Sequence, residues 1–334
     1  MAAPKGTLYL VPNVLYPSIA RGKAGPAGAA HEDGPSRGEE AAAVDGAGAS
    51  DGAEASAAAG ATAEALLPAA AVARIRSLRR FVVEGEKSAW RLLSSLMDRE
   101  ALASVSLERL DEHTPASELP GLLKPALDGE DMGLLSDAGV PCVADPGSAL
   151  AALAHDLGIR VVPLVGPSSL ILALSASGLD GQRFSFLGYL PQEPQARRAA
   201  LASIDRGVRA DGATRLFIET PYRNERLLAD CLDCLAPDTR LCVARALTTE
   251  SERVVSMSVA QWRREAAARA GGAGGSKADG ASGAGGSAGP AGGAEPLVGK
   301  EPAVFLVGRA PGTSLDRPSG FDHSSTRICK NKRR

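Results

Sequence analysis

Apolar residues along the chain follow two alternating spacings. Short dense runs at Leu8 to Val11, Phe81 to Val83, Gly133 to Leu135 and Arg160 to Leu164 predict strands. Between and after them, apolar positions recur with a helical period, which predicts helices over Ala70 to Leu78, Ser88 to Met97, Pro115 to Leu127, Ser148 to Leu157 and Ser168 to Ser177. Asp145-Pro146 has the form of an N-cap followed by a first-turn proline, and Gly158 that of a helix stop. After Ser177-Gly178-Leu179 the pattern restarts, with strands near Phe184 to Leu187, Arg215 to Ile218, Leu241 to Arg245, Arg253 to Ser256 and Ala303 to Val307. Helices near Ala196 to Ile204, Arg223 to Leu235 and Val259 to Arg269 lie between these strands. The alternation predicts an α/β fold in two units, residues 1–179 and 180–310, with the boundary near 180.

Composition sets three stretches apart. Residues 21–65 are rich in Ala, Gly, Ser and acids and nearly devoid of large apolar side chains, so burial cannot offset the entropy of ordering them. They read as a disordered insertion, residues 268–295 as a flexible Gly/Ala/Ser linker, and residues 311–334 as a flexible basic tail. The net charge of −2 is unevenly spread: residues 24–70 carry −7, leaving +5 elsewhere, and the last eight residues alone account for that excess. The folded body is therefore nearly neutral, and charge alone does not mark it as a nucleic-acid binder.

The most apolar stretch, Val161 to Ala176, is interrupted by Pro163, Gly166, Pro167 and Ser168, and Met1 to Gly6 lacks the pattern of a secretion signal. No membrane partner is expected. Five cysteines without framework spacing suit a reducing compartment, and the cytoplasm is the expected location. Cys231-x-x-Cys234 has no second Cys or His pair and falls in a helical pattern, so it reads as part of a packed helix and no metal is expected.

Candidate chemistry lies at two strand exits. Leu134 to Gly147 reads as a strand end, a small-residue loop and a helix start, and Pro163 to Ser169 repeats that arrangement. Ligands of open α/β sheets collect at strand carboxyl ends, where small residues let backbone amides approach closely. Either loop alone is also explained as a tight connection, but two in succession can wall one pocket.

With these stretches the chain resembles the tetrapyrrole-methylase superfamily, and within it the small-subunit ribosomal RNA cytidine ribose 2′-O-methyltransferases. The stretches are Gly6 to Pro12, Leu135 to Pro141, Ala144 to Gly147, Val162 to Ser169, Leu174 to Leu179, Phe184 to Pro191, Phe217 to Arg223 and Ala244 to Thr248. The resemblance implies two α/β/α domains with a cleft for S-adenosylmethionine between them, in a homodimer that acts on ribosomal RNA or the small ribosomal subunit. By position it implies that Pro12 closes one side of the cleft, that Asp137, Ala138, Gly139, Val143 and Asp145 line the cofactor's amino-acid or ribose portion, and that Ser168 and Ser169 add contacts. Tyr189 and Leu190 correspond to the segment over the adenine. Asp137 reads equally as a turn carboxylate and Ser168 as a helix cap.

One departure falls where the acceptor would be chosen. The ribosomal RNA enzymes typically have Glu-Asp-Thr-Arg after the second strand, whereas this chain has Glu84-Gly85-Glu86-Lys87-Ser88. A hydroxyl acceptor must lose a proton, and the candidate bases are Glu84, Glu86 and His113, with Glu84 first because it follows a strand and matches the family acid. Glu84 and Glu86 read equally as a solvated strand exit, and His113 as a turn residue. The acceptor stays open between a ribose hydroxyl of RNA and a tetrapyrrole-like small molecule, and a non-catalytic cofactor-binding regulator is the third reading.

Overall fold

A computed structural model describes residues 4–15, 62–272 and 297–309. The first sheet has the order β3-β2-β4-β1-β5 and is parallel throughout. It is built from β1 (Thr7–Val11), β2 (Arg80–Val83), β3 (Ser106–Arg109), β4 (Met132–Leu135) and β5 (Arg160–Pro163). Every residue of β4 is buried, as a strand covered on both faces requires. The covering helices are α1 (Ala63–Leu66), α2 (Ala69–Ser77), α3 (Glu86–Leu96), α4 (Arg99–Ala103), α5 (Leu119–Leu122), α6 (Lys124–Leu127) and α7 (Gly147–Asp156). Helix α3 shows why the pattern works: Ala89, Leu92, Leu93 and Leu96 fall on one face and are the residues it buries.

Helix α8 (Ser169–Ser177) follows β5 but packs beneath the second sheet, its Ala173 and Leu174 against Leu216, Ala244 and Val304. The second sheet has the order β6-β7-β10-β8-β9. Its strands are β6 (Phe184–Tyr189), β7 (Thr214–Glu219), β8 (Arg240–Arg245), β9 (Arg253–Ser258) and β10 (Ala303–Gly308). Only β6 and β7 pair in parallel; β10 lies antiparallel between β7 and β8, where Phe305 stacks on Phe217 with ring centroids 5.7 Å apart. Helices α9 (Pro194–Asp211), α10 (Asn224–Cys234) and α11 (Val259–Gly272) cover the other face. A buried ion pair, Arg197 to Asp230 at 2.5 Å, ties α9 to α10. No helix among the described residues is long and apolar enough to cross a membrane.

The structure departs from the sequence pattern in several places. The helix expected over 115–127 is two short helices, because Pro120 and Pro125 each occupy a helix-start position and neither can continue a preceding turn. Strand β3 and helix α4, only four and five residues long, carried no periodicity to read. Helix α7 starts at Gly147 with Pro146 as its cap residue; Asp145 sits one residue earlier and accepts the Gly147 amide at 2.8 Å. Residues 62–65, counted with the insertion, instead open α1, where Thr62 caps the Ala65 amide, and residues 268–272, counted with the linker, complete α11. The remainder of those tracts and the tail 311–334 lie outside the described residues.

One side chain joins the exits of β1 and β4. Asn13, 3% exposed, donates through Nδ2 to the carbonyls of Ser136 and Asp137, both at 3.1 Å. Its Oδ1 accepts the Val14 amide, and its backbone exchanges both hydrogen bonds with Gly139. Beside it, Gly166 comes so close to Pro12 that a Cβ there would lie 2.3 Å from the proline ring, so the loop after β5 is drawn onto the same spot.

Replacing the amide removes both donors and leaves two carbonyls unpaired. Asn13→Leu and Asn13→Asp should each lower the unfolding free energy by about 1–3 kcal/mol in urea titrations. The loss in Asn13→Asp should grow with rising pH, because an ionised carboxyl repels the two carbonyl oxygens while a protonated one still donates to one of them.

Candidate functional site

The loops drawn together by Asn13 form the floor of a cavity of about 370 Å³ between the two sheets. The floor runs from Ser136 to Asp145, one side is Ser168 to Leu170, and the roof comes from the second sheet, with Phe186, Ile218, Ala244 and Leu247. It lies at the carboxyl ends of β1 and β4, where the chain crosses from β4 over β1 to β5.

The floor has an unusual backbone. Gly139, Cys142 and Ala144 all have left-handed φ, at 72°, 69° and 62°, and Ala246 in the roof has φ 48°. Outside glycine such a conformation costs roughly 1–3 kcal/mol per residue and persists only where the surroundings impose it. Here the Asp145 carboxylate imposes it, accepting the Cys142 amide at 2.9 Å through both oxygens and the Gly147 amide at 2.8 Å. Burial raises the Asp145 pKa against the lowering pull of those amides. Burial, with Asp145 beside it, pushes the Cys142 thiol up to about 11.

Glu84 enters from the end of β2. Its Oε2 accepts the Asp137 amide at 3.1 Å, so the acid and the floor loop are fixed to each other. Burial raises the Glu84 pKa above its ordinary value, opposed by the Asp137 amide and reinforced by the carboxylates of Asp137 and Asp145. The Asp137 carboxylate is held in turn by the Ser88 hydroxyl. A Cβ on Gly85 would sit 2.5 Å from Asp137 Oδ1. The glycine that departs from the ribosomal RNA enzymes' acidic run is thus the residue that lets Asp137 dock on Ser88.

Of the residues singled out by sequence, Glu84, Asp137, Ala138, Gly139, Val143, Asp145, Ser168, Ser169 and Tyr189 border this cavity. Four do not. Glu86 is an exposed first-turn acid of α3, where it complements the helix dipole. His113 is 83% exposed in a turn, its amide donating to Asp111 and its ring facing Glu112. Pro12 lies beneath Gly166, and Leu190 is packed into the core of the second unit. Ser168 occupies the N-cap position of α8 without a side-chain cap bond, which leaves its hydroxyl free of that role.

Sequence reasoning passed over Asn13 and, Tyr189 apart, the residues of the second sheet that line the cavity. Ile218, Glu219, Ala244, Ala246 and Leu247 lie within stretches that carry the family resemblance, so that signal existed; Val304 reads only as a strand residue. Cys231 is buried in the core beside α9, and no group of three His, Cys, Asp or Glu among the described residues is arranged to hold a metal.

Comparison with known proteins agrees with this architecture. Residues 56–262 match the family model described as Tetrapyrrole (Corrin/Porphyrin) Methylases. Ribosomal RNA small subunit methyltransferase I of Pseudomonas aeruginosa is 39% identical over 150 residues, 45% of this chain and 52% of that protein. The Vibrio cholerae protein of the same name is 38% identical over 152 residues, 46% and 51% of the two chains. The chain therefore spans about half the length of the curated relatives it matches. The solved structure of the methyltransferase CobJ superposes with a TM-score of 0.46 at 17% identity, covering 76% of this chain and 92% of that one. With the family model spanning more than half of the chain and two α/β sheets facing each other across a cavity, the protein belongs to the tetrapyrrole methylase family.

Proposed function

We propose that the protein is an S-adenosylmethionine-dependent methyltransferase acting on a ribose hydroxyl of small-subunit ribosomal RNA, with the cavity as its cofactor site. The observation that carries the proposal is Glu84, a half-buried carboxyl with a raised pKa at the edge of a cavity whose floor is backbone amides and small residues. The names of the two relatives support the acceptor, since both are ribosomal RNA small subunit methyltransferases.

The cavity fits the cofactor in size and chemistry. A volume of about 370 Å³ is within the range of small-molecule sites. Apolar Val143, Leu170, Phe186, Ile218 and Leu247 offer surfaces for a flat aromatic base, while Asp137, Asp145, Ser168 and Ser169 offer polar groups for a ribose and an amino acid. Tyr189, 56% exposed, would cover the outer side. When bound, S-adenosylmethionine supplies an electrophilic methyl group on a sulfonium. The enzyme's own task is to align the acceptor, exclude water and take a proton. Glu84 is the group placed to accept the proton that a hydroxyl loses, and burial strengthens it as a base.

We also propose that the two sheets are two domains meeting at the cleft, and that the protein is a cytoplasmic homodimer. The apolar side chains Val165, Ile171, Leu172, Phe184 and Leu187 are exposed on the β5–α8 segment and the edge strand β6, a surface that a second copy would cover. The wild-type chain should sediment as a dimer, and Ile171→Glu should shift it to monomer without loss of helical signal.

The decisive assay measures labelled methyl transfer from S-adenosylmethionine into small ribosomal subunits, free RNA and small molecules from cells lacking the gene. Label in a ribose of the small subunit is expected; label confined to small molecules would refute the acceptor. Glu84→Gln should lower kcat by roughly 10²–10⁴-fold with cofactor affinity retained. In the wild type kcat should rise with pH as Glu84 ionises, at a midpoint above the ordinary glutamate value of 4.5, and Glu84→Gln should abolish that limb.

A further inference from the structure

Tyr222 is 87% exposed, more than any other large apolar or aromatic side chain of the described residues. It stands on the turn Pro221–Arg223 at the carboxyl end of β7, immediately after Thr220 and Pro221, which border the cavity. That turn has a firm base. Glu219, its side chain 1% exposed, accepts through Oε1 from the Thr220 amide at 2.7 Å and from Arg223 Nε at 2.9 Å and Nη2 at 2.5 Å. The Arg223 amide donates to the Thr220 carbonyl at 2.9 Å, and proline fixes the first position of the turn. A buried carboxylate and a clamped guanidinium therefore hold an aromatic ring out into water beside the cavity mouth.

Along the chain Tyr222 is flanked by exposed Thr220, Glu225 and Arg226, and on the neighbouring strand Tyr189, 56% exposed, pairs with Ile218 of β7. A rigidly held exposed ring at the cavity mouth, with a cation one helical turn away at Arg226, matches a stacked nucleobase and its phosphate. We propose that Tyr222 is the stacking platform for a nucleobase of the RNA acceptor, next to the nucleotide whose ribose enters the cleft, with Arg226 near that nucleotide's phosphate. The inference rests on the RNA reading above and adds a residue that selects an unstacked, single-stranded acceptor.

The test uses the full chain and a fluorescein-labelled single-stranded RNA of mixed sequence, followed by anisotropy over a range of salt concentrations. S-adenosylhomocysteine binding is measured by calorimetry and mass by light scattering on the same samples. Tyr222→Ala should weaken RNA binding roughly five- to a hundredfold, with an unchanged slope of log affinity against log salt, because stacking releases no counterions. Tyr222→Phe should restore the affinity, and neither variant should alter S-adenosylhomocysteine binding. Arg226→Gln should instead reduce the salt slope by roughly one. RNA affinity unchanged in Tyr222→Ala would overturn the proposal, as would loss of RNA binding together with the dimer, which would mean that a second copy covers the ring. A wild type that binds S-adenosylhomocysteine but no RNA would overturn it by removing the RNA reading; one that binds neither would remove the cofactor reading as well.

Discussion

The site depends on one buried amide. A parallel sheet delivers its loops to a single edge but does not by itself fix how those loops meet. Asn13 does so, because it follows the interior strand β1 and spends both side-chain protons on the carbonyls of Ser136 and Asp137 while its backbone pairs with Gly139. Burial makes the bond to Ser136 obligatory: without the amide, that buried carbonyl would have no partner. Glu84 and Asp145 then complete the frame, one holding the Asp137 amide and the other the amides of Cys142 and Gly147.

That frame explains the left-handed backbone of the floor. Cys142 and Ala144 adopt a conformation they would not choose, and the Asp145 carboxylate spans both ends of the strained segment. The carboxylate is itself partly desolvated, which raises its pKa. Such a floor presents amides and small side chains with little freedom to reorganise, which is the condition for holding a polar cofactor at low entropic cost. The roof repeats the left-handed backbone at Ala246, but Phe186, Ile218, Ala244, Leu247 and Val304 make it mostly apolar, and their contribution is shape.

Much of this was legible in the sequence, and the illegible parts share a cause. Strands β1, β2 and β4 appear as apolar runs because a doubly covered strand has no polar face, and the floor loop appears because Gly139, Pro141, Pro146 and Gly147 punctuate it. The roof did not appear as one surface. It forms only when β10 inserts between β7 and β8, a pairing across more than fifty residues that local periodicity cannot encode. Side-chain direction was equally hidden: Glu84 and Glu86 are two residues apart, but the first closes on Asp137 and the second faces water. His113 seemed a candidate by residue type, and Asp111 and Thr114 turn its segment away from the cleft. Asn13 was passed over because a lone asparagine after a strand reads as a turn residue, and only its burial reveals the clasp.

The central claim is that the cavity between the sheets holds S-adenosylmethionine on the Asn13-clasped floor. Amide hydrogen exchange of the full chain, with and without S-adenosylhomocysteine, tests it most directly. The account predicts slowed exchange concentrated in residues 136–147, 168–172 and 244–248, with the far edges of both sheets unchanged. Tight binding accompanied by protection elsewhere, or no change in those three segments, would contradict it.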